Sequence, residues 1–289
     1  MLGSSRTAYR YIAPILVLEV LLVLVPLGIG FWYSLHRADY FQITAFRGLD
    51  NYRQVLSSTV FLESVIATTI FSLGALFLTF VVGFALAIRL EQDSRLNVFL
   101  RAVVLVPYII AMLVGSLLLK WIFSTDGGIA PMLLGPLGMA DTGILADQRT
   151  AMGALIFNGL WRDCGFAMIL LMAGLKGIPL ELYAAARVDG ASAWMRFRTI
   201  TLPLMRIPIF ITLVRLLIHY VNVLTFALVL TGGGPNNSTL TMGLTMYRMG
   251  FVDYRIGQAN ALSLMVFAFN LVLIFALLRL FAERRSGAA

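Results

Sequence analysis

The sequence predicts an all-α membrane protein of six transmembrane helices, and three observations carry that expectation. Of 289 residues, 60% are apolar and only 12% are charged, about half the charge of an ordinary soluble domain. The apolar residues gather into six runs, approximately 10–35, 62–88, 98–123, 152–175, 207–230 and 258–281. Each is longer than the roughly 20 residues that a helix needs to cross a bilayer. The basic residues lie mostly between the runs, and unevenly so. This composition excludes a water-soluble enzyme and a disordered chain.

The first run follows Arg6 and Arg10, as a secretory signal would. It is far longer than the roughly 7–15 apolar residues of a signal, and no Ala-x-Ala site follows, so it reads as a retained helix. The second carries Thr68, Ser72, Ala75, Thr79 and Gly83 at helical spacing, a face suited to close helix packing. After the third comes an outer loop with Gly127, Gly128, Pro131, Gly135, Pro136 and Gly138, in which 129–134 reads as a short apolar segment along the interface. The fourth and fifth runs flank the longest and most basic inner segment, 176–206. The whole chain, 1–289, reads as one domain. With the N-terminus inside, 13 of the 22 Lys and Arg fall on inner segments and seven on outer ones, with Arg162 and Arg215 inside spans. That bias predicts both termini on the cytoplasmic side. It also accounts for the net charge of +8 without nucleic acid. The single cysteine, Cys164, forms no intrachain disulfide and no cysteine metal site.

The inner segment has its own local code. Pro179 suits the first turn of a helix, and Glu181 suits its dipole. Leu182, Ala184, Ala185 and Ala186 favour the helix, and Gly190 ends it. Ser192 caps a second short helix, and Pro203 closes the segment. The expected product is a helix–turn–helix under the membrane. It serves either as a docking surface for another protein, anchored by Tyr183, Trp194 and Phe197, or as a plain connection between spans.

The pattern Ala185-Ala186-x-x-Asp189-Gly190-Ala191, followed by Phe197, Ile200, Leu202 and Pro203, resembles the EAA loop in permease subunits of bacterial ATP-binding-cassette importers. Other blocks, in order, resemble the carbohydrate branch of that family, the maltose and glycerol-phosphate permease class. They are Phe46-Arg47-Gly48-Leu49-Asp50-Asn51-Tyr52, Trp121 with Phe123 and Gly128, Ala173-Gly174-Leu175 with Ile178-Pro179, and Leu230-Thr231-Gly232-Gly233-Gly234-Pro235. The resemblance spans 14–280. It departs at Ala184, where the family usually has Glu; Glu181 lies three residues upstream.

The resemblance implies the type I importer fold, with 176–206 as a cytoplasmic coupling loop. It implies that Glu181, Ala185, Ala186, Asp189, Gly190, Ala191, Phe197 and Pro203 meet an ATPase. It implies a second related permease, two ATPase subunits carrying ATP and Mg, and an extracytoplasmic solute-binding protein, all at a bacterial inner membrane. The substrate class is a carbohydrate: an oligosaccharide, a sugar phosphate or a polyol. The chain itself is expected to hold no cofactor or metal and to catalyse nothing. No GxxxxGK[ST], HExxH or GxSxG occurs in it.

Polar residues inside the spans mark a candidate pathway. At about 1.5 Å per residue, Asp163 and His219 both lie near mid-membrane. Arg215, His219 and Asn222 recur on one helix face, which Thr212 and Phe226 extend. Asp163, Phe166, Arg215, His219, Tyr220 and Asn222 are the candidate pathway residues, with Phe166 as a stacking surface for a sugar ring. The other reading is an Asp163–Arg215 ion pair that holds the bundle together. Arg162 is expected to point away from Asp163, because helix neighbours diverge. An alternative function is a proton-coupled secondary transporter that uses Asp163 and His219 as a relay.

Overall fold

The computed structural model describes residues 5–40, 42–125, 127–134 and 143–286. The Gly135, Pro136 and Gly138 positions of the outer loop lie outside the described residues. Where the sequence reads as one domain, the packing divides into two units, 1–61 with 245–273 and 62–244 with 274–289.

The first unit opens with α1 (Ser5–Glu19), a wide π turn (Val20–Leu24) and α2 (Val25–Ser34). Pro26 sits in the first turn of α2. It has no N–H to offer the preceding turn, so the hydrogen-bond ladder widens there without breaking. Glu19 is exposed on this helix and does not turn inward. A short antiparallel hairpin follows, β1 (His36–Asp39) with β2 (Gln42–Phe46), then α3 (Asp50–Leu56). The hairpin is absent from the sequence reading. Its second strand is exposed throughout, so no alternation of apolar residues announces it.

The Phe46–Tyr52 block locks this end of the unit. Asn51 is buried, and its Nδ2 donates to Ser34 O at 2.7 Å and His36 O at 2.9 Å. Ser34 Oγ lies 2.7 Å from Tyr52 Oη, and Arg47 pairs with Asp50 at 2.9 Å. Within the same unit, Gln258 Nε2 donates to Gln54 Oε1 at 2.7 Å.

The second unit contains α4 (Thr59–Arg89), α5 (Arg95–Ile109), α6 (Met112–Ile122), α7 (Ile129–Leu134) and α8 (Gln148–Lys176). The inner segment forms α9 (Leu180–Val188), α10 (Ala193–Arg196), a π turn (Phe197–Thr201) and α11 (Leu202–Leu204). Then come α12 (Arg206–Asn222), α13 (Thr225–Leu230) and α14 (Met242–Tyr247), which leads through a π turn (Arg248–Val252) to α15 (Ile256–Ser286); of this last stretch, 245–273 belong to the first unit. The small-residue face of α4 is buried, as expected: Thr68, Ser72, Ala75, Thr79 and Gly83 all pack inward. Toward the end of α4, Ala87 and Leu90 join Met168, Leu171, Met172, Leu175, Ile178 and Met205 in one apolar core.

Four helices, 11–34, 59–89, 148–176 and 256–279, are long and apolar enough to cross a membrane singly, and six crossings result if each of two bent pairs counts as one. The second bent pair is 193–204 with 206–222, at 66°, and two of the apolar runs are not single helices. The run 98–123 is two helices, α5 and α6, bent by 96°. Ile110 and Ala111 are extended, with ψ of 137° and 132°. Pro107 in the last turn of α5 gives no N–H to Val103 O, which weakens that turn. The run 207–230 also breaks: α12 stops at Asn222, Val223 is extended, and α13 resumes at Thr225. No helix breaker stands there. Instead Gly243 of α14 approaches so closely that a side-chain carbon on it would lie 3.1 Å from Val223 O and 3.4 Å from Asn222 O. The freed carbonyls are packed against another part of the unit.

Candidate functional site

The α9–α11 loop follows its local code closely. Pro179 is the N-cap of α9 and Glu181 lies in its first turn. Gly190 takes φ of +76°, a left-handed conformation that L side chains rarely adopt. Ala191 N then reaches back to Ala186 O at 2.9 Å, and Gly190 N to Arg187 O at 3.1 Å. These bonds satisfy carbonyls that the helix end would leave open. Ser192 Oγ accepts from Met195 N at 3.2 Å and caps α10.

Tertiary contacts join the loop to the bundle. Tyr183 Oη bonds Thr201 Oγ1 at 2.8 Å. The Phe197 ring lies between Trp194 at 5.5 Å and Phe84 of α4 at 6.0 Å, so it faces the unit's own core rather than the open surface. Glu181, Ala185, Asp189, Gly190 and Pro203 are exposed, and Ala186 and Ala191 are half-buried. Beside them stand large apolar side chains: Leu180 is 75% exposed, Val188 88% and Trp194 69%.

The root of the loop is tied to the α4–α5 turn. Asp93 receives Lys176 Nζ at 2.9 Å and Arg101 Nη1 at 2.7 Å. Arg101 also caps the carbonyls of Leu90, Glu91 and Gln92. The hydrogen bond from Lys176, then that from Arg101, holds the Asp93 carboxyl below its ordinary value. Asp147 caps α8, and the amides of Thr150 and Arg149 lower its carboxyl likewise.

In the spans, Asp163 is completely buried. Its Oδ1 accepts from Arg162 Nη1 at 2.7 Å, which corrects the expectation that these neighbours diverge. The Cβ atoms do diverge, but the long guanidinium stem curls back across the helix surface. On the other side, His219 Nε2 stands 3.3 Å from Asp163 Oδ2, though at an angle that makes no hydrogen bond. Among the described residues Asp163 forms no ion pair with Arg215. The Arg215 guanidinium lies 4.5 Å over the Phe166 ring, and Phe166 stacks on Tyr108 at 5.2 Å. Arg162 lies 5.1 Å over that same Tyr108. Two arginines thus flank a stacked pair of aromatic rings beside one carboxylate.

Tyr220 is brought near and also anchors the helices. It is completely buried, bonded to Thr79 Oγ1 at 2.9 Å and donating to Gly159 O at 3.2 Å, so it pins α12 to α4 and α8. Asn222 is exposed at the helix end and donates to Ile218 O at 2.7 Å. Thr212 turns its hydroxyl onto Pro208 O. Phe226 does not extend the α12 face, because it belongs to α13 beyond the break; it packs on Phe71 and His219. Tyr108 is the neighbour that sequence reasoning missed, since an aromatic residue in an apolar run carries no signal of its own. Asp163 Oδ2, His219 Nε2, Arg162 Nε and Arg215 Nη1 are buried with no hydrogen-bond partner among the described residues. The cluster therefore keeps unused capacity for polar contacts in a place where such groups are costly.

Comparison with known proteins agrees with this architecture. Residues 79–286 match the family described as the binding-protein-dependent transport system inner membrane component. The chain is 32% identical over 276 residues to the trehalose/maltose transport system permease protein MalF of Thermococcus litoralis, covering 94% of this chain and 93% of that one. It is also 32% identical over 280 residues to the sn-glycerol-3-phosphate transport system permease protein UgpA of Brucella abortus, covering 96% and 94%. Among solved structures, a bacterial ABC transporter involved in import of the acidic polysaccharide alginate shares the fold, with a TM-score of 0.84 at 22% identity over 96% of this chain and 95% of that one. The chain belongs to the family of binding-protein-dependent transport system inner membrane components.

Proposed function

We propose that this permease subunit lines part of the path of a carbohydrate through the bacterial inner membrane and is driven by a separate ATPase docked on α9–α11. Both termini and that loop face the cytoplasm. ATP and Mg bind the ATPase pair, a second related permease completes the pore, and a solute-binding protein delivers substrate on the outer side. Closure of the ATPase pair moves the loop, and the loop turns α8 and α12, which flank it and carry Asp163, Arg215 and His219. Asp163 accepts sugar hydroxyls while the arginines and His219 donate.

The observation that carries the coupling role is the water-facing apolar surface of the loop, Leu180, Val188 and Trp194, on a helix pair whose own turn is fully hydrogen-bonded. A rigid, capped element with its large apolar side chains outward fits a protein partner. Relatives named for trehalose, maltose and glycerol phosphate transport support the substrate class. The proximity of His219 to Asp163 would also suit a proton relay, but membership of a binding-protein-dependent family favours ATP as the source of energy.

Gly190→Pro and Asp189→Lys test the coupling. Proline cannot adopt the left-handed turn and loses the N–H bonded to Arg187 O. Both variants are expected to insert normally yet hydrolyse ATP without uptake. Normal uptake in both, measured in reconstituted vesicles, would sink the proposal.

A further inference from the structure

Away from the Asp163 cluster, the first unit contains a cavity of about 470 Å³ lined by Arg37, Asp39, Tyr40, Arg47, Gln54, Asp253, Arg255 and Gln258, with Ala38, Asn51 and Gly257. It lies where the hairpin, α3 and the start of α15 meet. Its volume falls in the range of roughly 300–1,000 Å³ typical of small-molecule sites. We infer that this cavity binds a neutral mono- or disaccharide, an assignment that rests on the carbohydrate reading above.

The charges decide the ligand class. Arg37 is neutralised by Asp39 at 2.8 Å, and Arg47 by Asp50 at 2.9 Å. That leaves Arg255 and Asp253, which are exposed and whose side chains have no hydrogen bond or ion pair among the described residues. They cancel each other. The cavity is therefore dense in hydrogen-bonding groups: three arginines and two aspartates line it, and Asp50, bonded to Arg47 beside the lining, brings the charge to balance. It has no excess cation to draw a phosphate or carboxylate, and no continuous apolar wall to hold a lipid tail.

Vicinal hydroxyls need donors and acceptors side by side. The guanidinium of Arg255 and the carboxylate of Asp253 are planar groups with two or more contact atoms each; Gln54 is engaged by Asp50 at 2.9 Å and by Gln258 at 2.7 Å, and Gln258 adds its Oε1 as an acceptor. Asn51 does not compete, because its Nδ2 is committed to Ser34 O and His36 O. An aromatic surface completes the set. Tyr40 stacks on Tyr254 at 5.1 Å, and both residues hold left-handed backbone, φ 49° and 54°. That conformation is costly for tyrosine, and here it sets Tyr40 at the cavity with its ring largely exposed. Such a ring suits the C–H face of a pyranose. In the proposed orientation the cavity opens on the outer side, where it receives sugar before the membrane pathway does.

The test uses the whole transporter in lipid nanodiscs without its binding protein, with saturation-transfer NMR reporting contact. Trehalose is the neutral probe and glucuronate the charged one. Wild type and Asp163→Asn are expected to give a trehalose signal. The double variant Asp253→Ala/Arg255→Ala, which removes only exposed and unpartnered side chains, is expected to lose it at least 5-fold. Glucuronate is expected to give at most one-fifth of the trehalose signal. A trehalose signal that survives the double variant and disappears in Asp163→Asn would overturn the cavity site. So would the absence of any signal from a complex whose ATPase still responds to loaded binding protein. Equal signals from the two probes would overturn the neutral class. Failure of the chain to retain an ATPase counts against the importer reading itself, and the same NMR comparison on the chain alone then decides the cavity.

Discussion

The Asp163 cluster and the α9–α11 loop invert the usual rule in opposite directions. The cluster places a carboxylate, two guanidiniums and an imidazole inside long apolar helices, and then partners most of them within the chain. The loop places Leu180, Val188 and Trp194 on an open surface and leaves them exposed. The difference separates two kinds of functional surface. A buried polar group without partners is expensive, so the fold supplies some partners and holds Asp163 Oδ2, His219 Nε2, Arg162 Nε and Arg215 Nη1 in reserve. An exposed apolar side chain is cheap, so a docking surface can wait for its partner without stabilising or destabilising the free chain.

The comparison is broken most forcefully at Asp163. Asp163→Ala strands the Arg162 guanidinium beside a cavity, and removal of one partner from a buried pair costs about 3–5 kcal/mol. The expected result is a lower melting temperature together with at least a 10-fold loss of uptake. A variant with full stability and lost uptake would show that the carboxylate serves the pathway alone. Next is Tyr220→Phe, which deprives Thr79 and Gly159 O of a buried hydroxyl and is expected to cost about 1–3 kcal/mol. Here stability falls in denaturant titration while the ratio of uptake to folded protein holds. If that ratio collapsed, Tyr220 would belong to the pathway instead.

Val188→Ser sharpens the contrast from the loop side. The stability of the free chain should change by no more than about 0.5 kcal/mol, while retention of the ATPase in detergent drops several-fold. Unchanged retention would remove Val188 from the docking surface. The smallest effect concerns Asp93. Its carboxyl is lowered in the fold, so its contribution is present above the ordinary value of 3.8 and lost as pH falls through the folded value. Asp93→Asn is therefore expected to show a small thermal deficit that is constant from about pH 5 to 8 and vanishes in stronger acid. A deficit that changes within that window would assign the link to another group.

The legibility of the two regions differs for a physical reason. The loop was readable because caps and turns are local. Glu181, Gly190 and Ser192 act on neighbours within five residues and take the expected roles, and Pro179 stands one position earlier than expected, as the N-cap. In the cluster, depth and residue type were readable, but partners were not. Arg162 folds back on Asp163, Arg215 goes to Phe166, and Tyr220 bonds Thr79. Phe197 likewise has an expected place in the loop, yet its ring turns to Phe84.

By itself the sequence determined the class of solvent and the frame. Long apolar runs must form helices in a bilayer, because every backbone group has to be bonded within its own segment. Capping residues mark the loop between the fourth and fifth runs for the same local reason. Tertiary structure alone decided where the fifth run breaks, since Val223 is no breaker and the cause is Gly243 packed against freed carbonyls 20 residues away. It also decided that Asp163 pairs with Arg162 rather than Arg215, with His219 standing alongside at 3.3 Å. Contacts through space depend on which helices cross and where, and no spacing along one helix records that.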